Sequence, residues 1–130
     1  MNESFSLVNG KSVWPAHIEA RFTGQGLVAH AVLFGDGRDY LVAGLWLEPK
    51  ALATWCAAYD RDDLMQGLRQ ELGAQVAQVN GALSPYETIE RFAIMTPELS
   101  IDSGHLSARL ELRRDQVYTT FAAEFEAMYP

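Results

Sequence analysis

Cysteine is nearly absent from this sequence of 130 residues: Cys56, in the run ALATWCAAYD, stands alone. A single thiol excludes an internal disulfide and fits a reduced compartment, and its apolar neighbours make it a packing thiol rather than a nucleophile. Positive charge is scarce too. Ten Lys and Arg against 17 Asp and Glu leave a formal charge of -7, which argues against a nucleic-acid partner, because phosphate binding needs a basic surface that releases counterions. No apolar run approaches the roughly 20 residues of a spanning helix. The opening MNESFSLVNG also lacks the basic-then-apolar order of a secretory signal, so a cytoplasmic location without a membrane span is expected. His17, His30 and His105 have no His or Cys partner at ligand spacing, and no metal site is expected. Gly35-Asp36-Gly37 is followed by Tyr40 and an apolar strand, not by a third glycine and a helix, so it reads as a turn rather than a dinucleotide fingerprint. Nucleophile elbow, phosphate loop and paired-carboxylate signatures are missing as well. Taken alone, the residues name no reaction.

What is present describes one compact α+β domain over residues 1–130, with 48% apolar and 21% charged residues. Ser6-Leu7-Val8 and Lys11-Ser12-Val13 flank Asn9-Gly10, which predicts a short N-terminal hairpin through a two-residue turn. Pro15 opens a short helix with Ile18 and Phe22 on its inner face, ended by Gly24 and Gly26. Leu27 to Phe34 and Tyr40 to Leu47 read as two strands joined through Gly35–Asp39; their continuous apolarity implies that both sheet faces are covered. Leu52, Trp55, Cys56 and Tyr59 stripe one helix. A second, capped by Asp62, carries Leu64, Leu68, Leu72, Val76, Val79 and Leu83, although Gly67 and Gly73 each cost about 1 kcal/mol relative to Ala. Ile89 to Met95 is a third strand, Pro97 to Arg109 an extended loop, and Val117, Tyr118, Phe121, Phe125 and Met128 stripe a last helix. The expected architecture is a small antiparallel or mixed sheet of about three strands with helices packed on its faces. Arg109, Arg113 and Arg114 gather three of the ten basic residues beside the loop, where they form either an anion-binding patch or a solvated helix start.

The segment from Gly104 to Arg114, GHLSARLELRR, resembles in pattern and position the last conserved motif of adenylate-forming acyl-CoA synthetases of the long-chain fatty acid type. FSLVNGKSVWPAHIEARF resembles the stretch that follows that family's hinge, VLFGDGRDYLVAGLWLEP its central hairpin, and IERFAIMTPELSIDSGHLSARLELRR its third strand and catalytic loop. These similarities run in order along nearly the whole chain. They imply the C-terminal lid domain, which swings over a large N-terminal domain holding the ATP and fatty-acid sites. The resemblance implies that Glu111 stands where the family places its catalytic lysine, that Gly10, Lys11, Ser12 and Val13 lie near a pantetheine channel, and that Trp14 replaces a small residue at that channel. It also implies no cofactor bound by the domain alone, with ATP and CoA needed by a complete enzyme.

A carboxylate at position 111 has the wrong sign for phosphates and for a substrate carboxylate. Arg109 or Arg113 could supply positive charge, but both are expected to point away from the direction of residue 111. Three readings stay open. The chain is a stand-alone or excised lid, inactive alone, that docks a separate adenylation domain; or it is the working half of a split acyl-CoA or acyl-ACP ligase that supports the thioester step; or it is a non-catalytic module that binds an acyl carrier protein or a phosphopantetheine arm through its arginines.

Overall fold

The computed structural model describes residues 4–8, 10–22, 26–60, 62–96 and 98–129. The opening segment builds a two-stranded hairpin, β1 (Phe5–Ser6) and β2 (Ser12–Val13), followed by α1 (Pro15–Glu19). A three-stranded sheet follows in the order β3 (Val28–Phe34), β4 (Leu41–Leu47), β5 (Ile89–Ile94), with β4 central, antiparallel to β3 and parallel to β5. The parallel pairing needs a crossover. It is supplied by α2 (Pro49–Ala58), α3 (Leu64–Asn80) and one 3-10 turn at Pro85–Glu87.

Alternation along β3 and β4 divides the core into two layers. Ala31, Leu33, Leu41, Ala43 and Leu45 face a layer built from Leu7 and Val13 of the hairpin, Ile18 and Phe22 around α1, and Leu68, Leu72, Val76 and Val79 of α3. Val32, Val42 and Trp46 face the opposite way, onto Leu99, Leu106, Val117, Phe121, Phe125 and Met128. Both faces are therefore covered, as the unbroken apolar runs required. The second layer sets the site, because it is formed by the Gly104–Arg114 segment and the helices after it.

Four local expectations change. The two-residue turn gives way to a longer loop: Phe5 pairs with Val13 and Ser6 with Ser12, the Leu7 N–H donates to the Lys11 carbonyl at 3.0 Å, and the Gly10 N–H donates to the Leu7 carbonyl at 2.9 Å with φ +84° at Gly10. One residue of register turns every side chain to the other face, and this register buries Leu7 and Val13 while leaving Val8 exposed. Asn9 and Gly24 lie outside the described residues. The cap of α3 is Asp63, not Asp62; its carboxylate accepts from the Gln66 N–H at 3.1 Å, and Leu64, the first helical residue, stays exposed. Tyr59 falls just past the end of α2, where its ring stacks on Trp55, and Cys56 is half-buried with a free thiol. The single final helix divides into α4 (Arg114–Thr120) and α5 (Ala122–Glu126) at Phe121. Thr119 donates its hydroxyl back to the Asp115 carbonyl at 2.9 Å, a bond that bends helices, and Phe121 packs edge-on against Trp46 at 5.1 Å.

The two sheet edges are finished differently. On β3, the Leu33 N–H donates to Glu19 at 2.7 Å, the Leu33 carbonyl accepts from the Tyr118 hydroxyl, and the Phe34 carbonyl accepts from the Tyr129 hydroxyl at 3.2 Å. On β5, Asn80 covers only Ile89, accepting from its N–H at 2.9 Å and donating to its carbonyl at 3.0 Å. Beyond that residue the edge opens onto a cleft of about 870 Å³ between the first turns of α3 and Met128.

One ion pair ties the two layers together at the end of the loop. Arg114 Nη1 and Nη2 donate to the two Glu19 carboxylate oxygens at 2.6 and 2.8 Å, with Arg114 9% and Glu19 7% exposed. Burial by itself would lower the guanidinium pKa, but the Glu19 hydrogen bonds and charge outweigh it and hold the pKa well above its ordinary value. Such a bidentate pair fixes orientation as well as distance.

Three measurements check this account. Glu19→Gln leaves a buried guanidinium without its counter-charge, so chemical denaturation should show a loss of about 3–5 kcal/mol, and Arg114→Met combined with Glu19→Gln should recover part of it. A Cβ on Gly67 would overlap the Tyr59 ring, whereas one on Gly73 would meet only Phe92, at 3.8 Å. Gly67→Ala should therefore destabilise by about 1–3 kcal/mol, and Gly73→Ala should stabilise by up to ~1 kcal/mol through helix propensity, both read from urea midpoints. Half-burial lowers the His30 pKa below its ordinary 6.5. The unfolded chain then takes up protons first as pH falls through 6.5, so stability present above that pH is lost below it. His30→Gln should flatten that part of the pH–stability curve.

Candidate functional site

The segment expected to be an extended loop folds back on itself. Leu106 bridges Leu112 in antiparallel fashion, and the Arg113 N–H donates to the His105 carbonyl at 2.8 Å. Above them the Ser107 N–H donates to the Glu111 carbonyl at 2.8 Å, and the Leu110 N–H donates to the Ser107 carbonyl, also at 2.8 Å. The Ser107 hydroxyl oxygen accepts from the Arg109 and Glu111 N–H groups at 3.2 Å each. One serine thus holds both ends of a three-residue tip, Ala108-Arg109-Leu110.

The tip is a tight turn followed by a left-handed residue, a usual three-residue hairpin loop. That left-handed residue is Leu110, with φ +64° and 64% exposure. A leucine there costs about 1–2 kcal/mol that a glycine would not. The same hydrogen-bond pattern closes the N-terminal hairpin between Leu7 and Lys11, where the left-handed position is Gly10.

The base of the loop is held by polar groups. His105, nearly buried, places Nδ1 2.7 Å from the Ser103 Oγ and Nε2 2.9 Å from the Thr120 Oγ1. Ser103 is itself fixed: its N–H donates to the Ser100 Oγ at 3.0 Å, its hydroxyl oxygen accepts from the Ser100 N–H at 3.1 Å, and Gly104 turns the chain at φ +85°. The Leu106 N–H donates to the Ser100 carbonyl at 3.1 Å. His105 ties the loop to α4.

Glu111 is exposed, and among the described residues its side chain has no hydrogen-bond or ion-pair partner; the same holds for Arg109 and Arg113. Leu112 packs inward on the second layer. Since side chains alternate along an extended arm, Glu111 and Arg113 share the outward side, and the expectation that Arg113 points elsewhere does not hold. Arg109 sits in the turn. Arg114 leaves the anticipated three-arginine patch altogether, because Glu19 and burial occupy it. The tip therefore presents one carboxylate and two guanidinium groups.

The other predicted residues lie on the N-terminal hairpin. Gly10, Lys11 and Ser12 are exposed, with the Lys11 ammonium 5.7 Å from the centre of the Tyr86 ring. Val13 is fully buried, so its side chain belongs to the core. Trp14 is 44% exposed at the start of α1. Since α1 carries Glu19, the hairpin and the loop are two arms joined by the Glu19–Arg114 pair. Sequence reasoning missed the roles of Glu19, of Ser107 as the holder of the tip, and of the strained Leu110; all three lie in stretches that carry the resemblance, which marks their positions but not their contacts.

Among the described residues no group of three or more His, Cys, Asp or Glu side chains is placed to hold a metal ion, and no helix is long and apolar enough to cross a membrane.

Comparison with known proteins agrees with this architecture. The chain is 31% identical over 128 residues to the long-chain-fatty-acid–CoA ligase FadD15 of Mycobacterium tuberculosis, an alignment covering 92% of this chain and 21% of that protein. It is 28% identical over 127 residues to the putative fatty-acid–CoA ligase fadD11 of the same species, covering 92% of this chain and 22% of that protein. The adenylation domain of a carboxylate reductase from Mycobacterium chelonae superposes with a TM-score of 0.82 at 26% identity, over 97% of this chain and 19% of that one. The A-PCP didomain of a carboxylic acid reductase from Segniliparus rugosus, in complex with AMP, gives a TM-score of 0.77 at 26% identity, over 97% of this chain and 17% of that one. The chain thus spans only a small part of the length of these relatives. The model of the family described as AMP-binding enzyme C-terminal domain matches residues 2–130, and the chain belongs to that family.

Proposed function

We propose that this domain is the lid of an AMP-forming acyl-CoA ligase in which Glu111 replaces the catalytic lysine, and that it is inactive alone and acts by docking an adenylation domain. The observation that carries the reading is the position of Glu111: exposed, without a side-chain partner, beside the apex of a loop that Ser107 and the Glu19–Arg114 pair hold rigidly. A rigid loop with a free side chain next to its tip is built to deliver that side chain to another surface.

The chemistry delivered is the reverse of what ATP would require. Charge developing on phosphate oxygens is stabilised by cations and N–H donors, and a carboxylate brought among them raises the barrier instead. A carboxylate at residue 111 does not fit a triphosphate. Arg109 and Arg113, each two positions from Glu111, are the nearest cations in sequence; Arg113 shares its side, which gives the two a secondary role.

A second reading has its own support. The exposed tip of Gly10, Lys11 and Ser12 belongs to the other arm of the domain, where Glu111 would not interfere. There the domain would act as the thioester-forming half of a split acyl-CoA or acyl-ACP ligase, with CoA or a carrier protein as partner. The carrier-binding reading loses ground, since burial of Arg114 leaves only two arginines for an acidic partner.

A chimera separates the readings: FadD15 with the segment matched here replaced by this chain. With Glu111 in place, ATP-dependent adenylate formation should be absent, and Glu111→Lys should raise it by on the order of 10²–10³-fold. If Glu111→Lys changes nothing while the chimera still converts supplied acyl-adenylate and CoA to thioester, the disarmed-lid reading is wrong and the thioester reading replaces it.

A further inference from the structure

Two hairpin tips in this chain close with the same hydrogen bonds, yet they place different residues at the left-handed position. In the N-terminal hairpin it is Gly10, around which a Cβ would meet nothing within 4 Å, so glycine is there for its backbone alone. In the Gly104–Arg114 loop it is Leu110, at φ +64°. Leucine is among the residues least suited to that conformation, and Leu110 gains nothing in return from its own chain. It is 64% exposed, belongs to neither core layer, and among the described residues makes no recorded ring or polar side-chain contact. Strain of this kind persists where the surroundings over-determine it, and it concentrates at functional sites. Here the surroundings are Ser107, whose N–H, carbonyl and hydroxyl together bind residues 109, 110 and 111.

We infer that Leu110 is the docking residue of the lid: an apolar knob held in solvent beside Glu111, which inserts into an apolar pocket of the adenylation domain when the lid closes and so fixes where residue 111 arrives. The inference rests on the lid reading given above and adds the contact that positions the loop. A left-handed residue projects its side chain away from the turn it closes, so the knob stands clear of the loop. A charged or small side chain would serve solubility better, and a glycine would serve the turn better. Leucine serves neither, and burial on a partner is what its side chain offers. Leu110 touches no reacting atom under this reading; it is a positioning residue, acting through residue 111.

The test uses the lone chain and the FadD15 chimera carrying Glu111→Lys. In the lone chain, Leu110→Gly should raise the thermal midpoint by about 3–5 °C through relief of strain, while Leu110→Ala, which keeps the Cβ, should not. The mirror control, Gly10→Ala, should lower the midpoint. In the chimera, Leu110→Gly and Leu110→Ala should both lower kcat for adenylate formation at least 10-fold with KM for ATP little changed, and Leu110→Met should restore most of the rate by refilling the pocket. A merely structural leucine would behave otherwise: Leu110→Gly would then raise the midpoint and leave kcat intact, which overturns the docking role while the lid reading stands. An unchanged midpoint in Leu110→Gly overturns the strain on which the inference rests. If the chimera with Glu111→Lys forms no adenylate at all, the lid reading falls and takes this inference with it.

Discussion

The site depends on one buried ion pair. Glu19 sits on a five-residue helix and Arg114 at the first position of α4, and their bidentate contact is the point at which the N-terminal arm and the loop meet. The Glu19 carboxylate does more than neutralise the arginine. Its Oε2 also accepts the Leu33 N–H on the outer edge of β3, so one carboxylate registers helix, loop and sheet against each other. Buried pairs give little net stability after desolvation, and here the bidentate geometry fixes both the distance and the orientation of the two arms. Here that arrangement sets the direction in which the loop leaves the domain.

Given that anchor, the rest of the loop follows by short-range bonds. His105 couples its base to Thr120, the Leu106–Leu112 bridge closes its stem, and Ser107 ties its tip. Every bond in this series is made within the domain. The loop is preorganised, and preorganisation is what a surface must have if its side chains are to reach a second surface without a large ordering cost. The side chain at residue 111 therefore decides the chemistry offered, while Ser107 and the Glu19–Arg114 pair decide the scaffold offering it.

Much of this was legible in the sequence. The strands, the two-sided core and the stripes of α3 and the C-terminal helices follow from periodicity and β-branched runs, because those features are local and repeated. The collinear likeness to acyl-CoA synthetases pointed to the loop. What escaped was set by single long-range contacts. Glu19, next to the inward-facing Ile18, reads as a solvated helix residue until its arginine is known to lie 95 positions away. The hairpin register was decided by burial of Leu7 and Val13, against the local preference of an Asn-Gly pair for a two-residue turn. Leu110 contradicts its own propensity, and conflicts of that kind collect at sites shaped by something other than folding.

The parallel pairing of β4 with β5 has a consequence in time. The β3–β4 hairpin is local and can zip early, but β5 can join only after the whole of α2 and α3 has been laid across the sheet, and the Glu19–Arg114 contact must wait longer still. Contacts closed over long stretches of chain are entropically late. The loop with the strained leucine is therefore among the last parts to acquire its shape, and a partly folded chain presents a sheet, helices and an open β5 edge without that loop. The contacts that give the Gly104–Arg114 loop its shape are thus the ones that complete the fold.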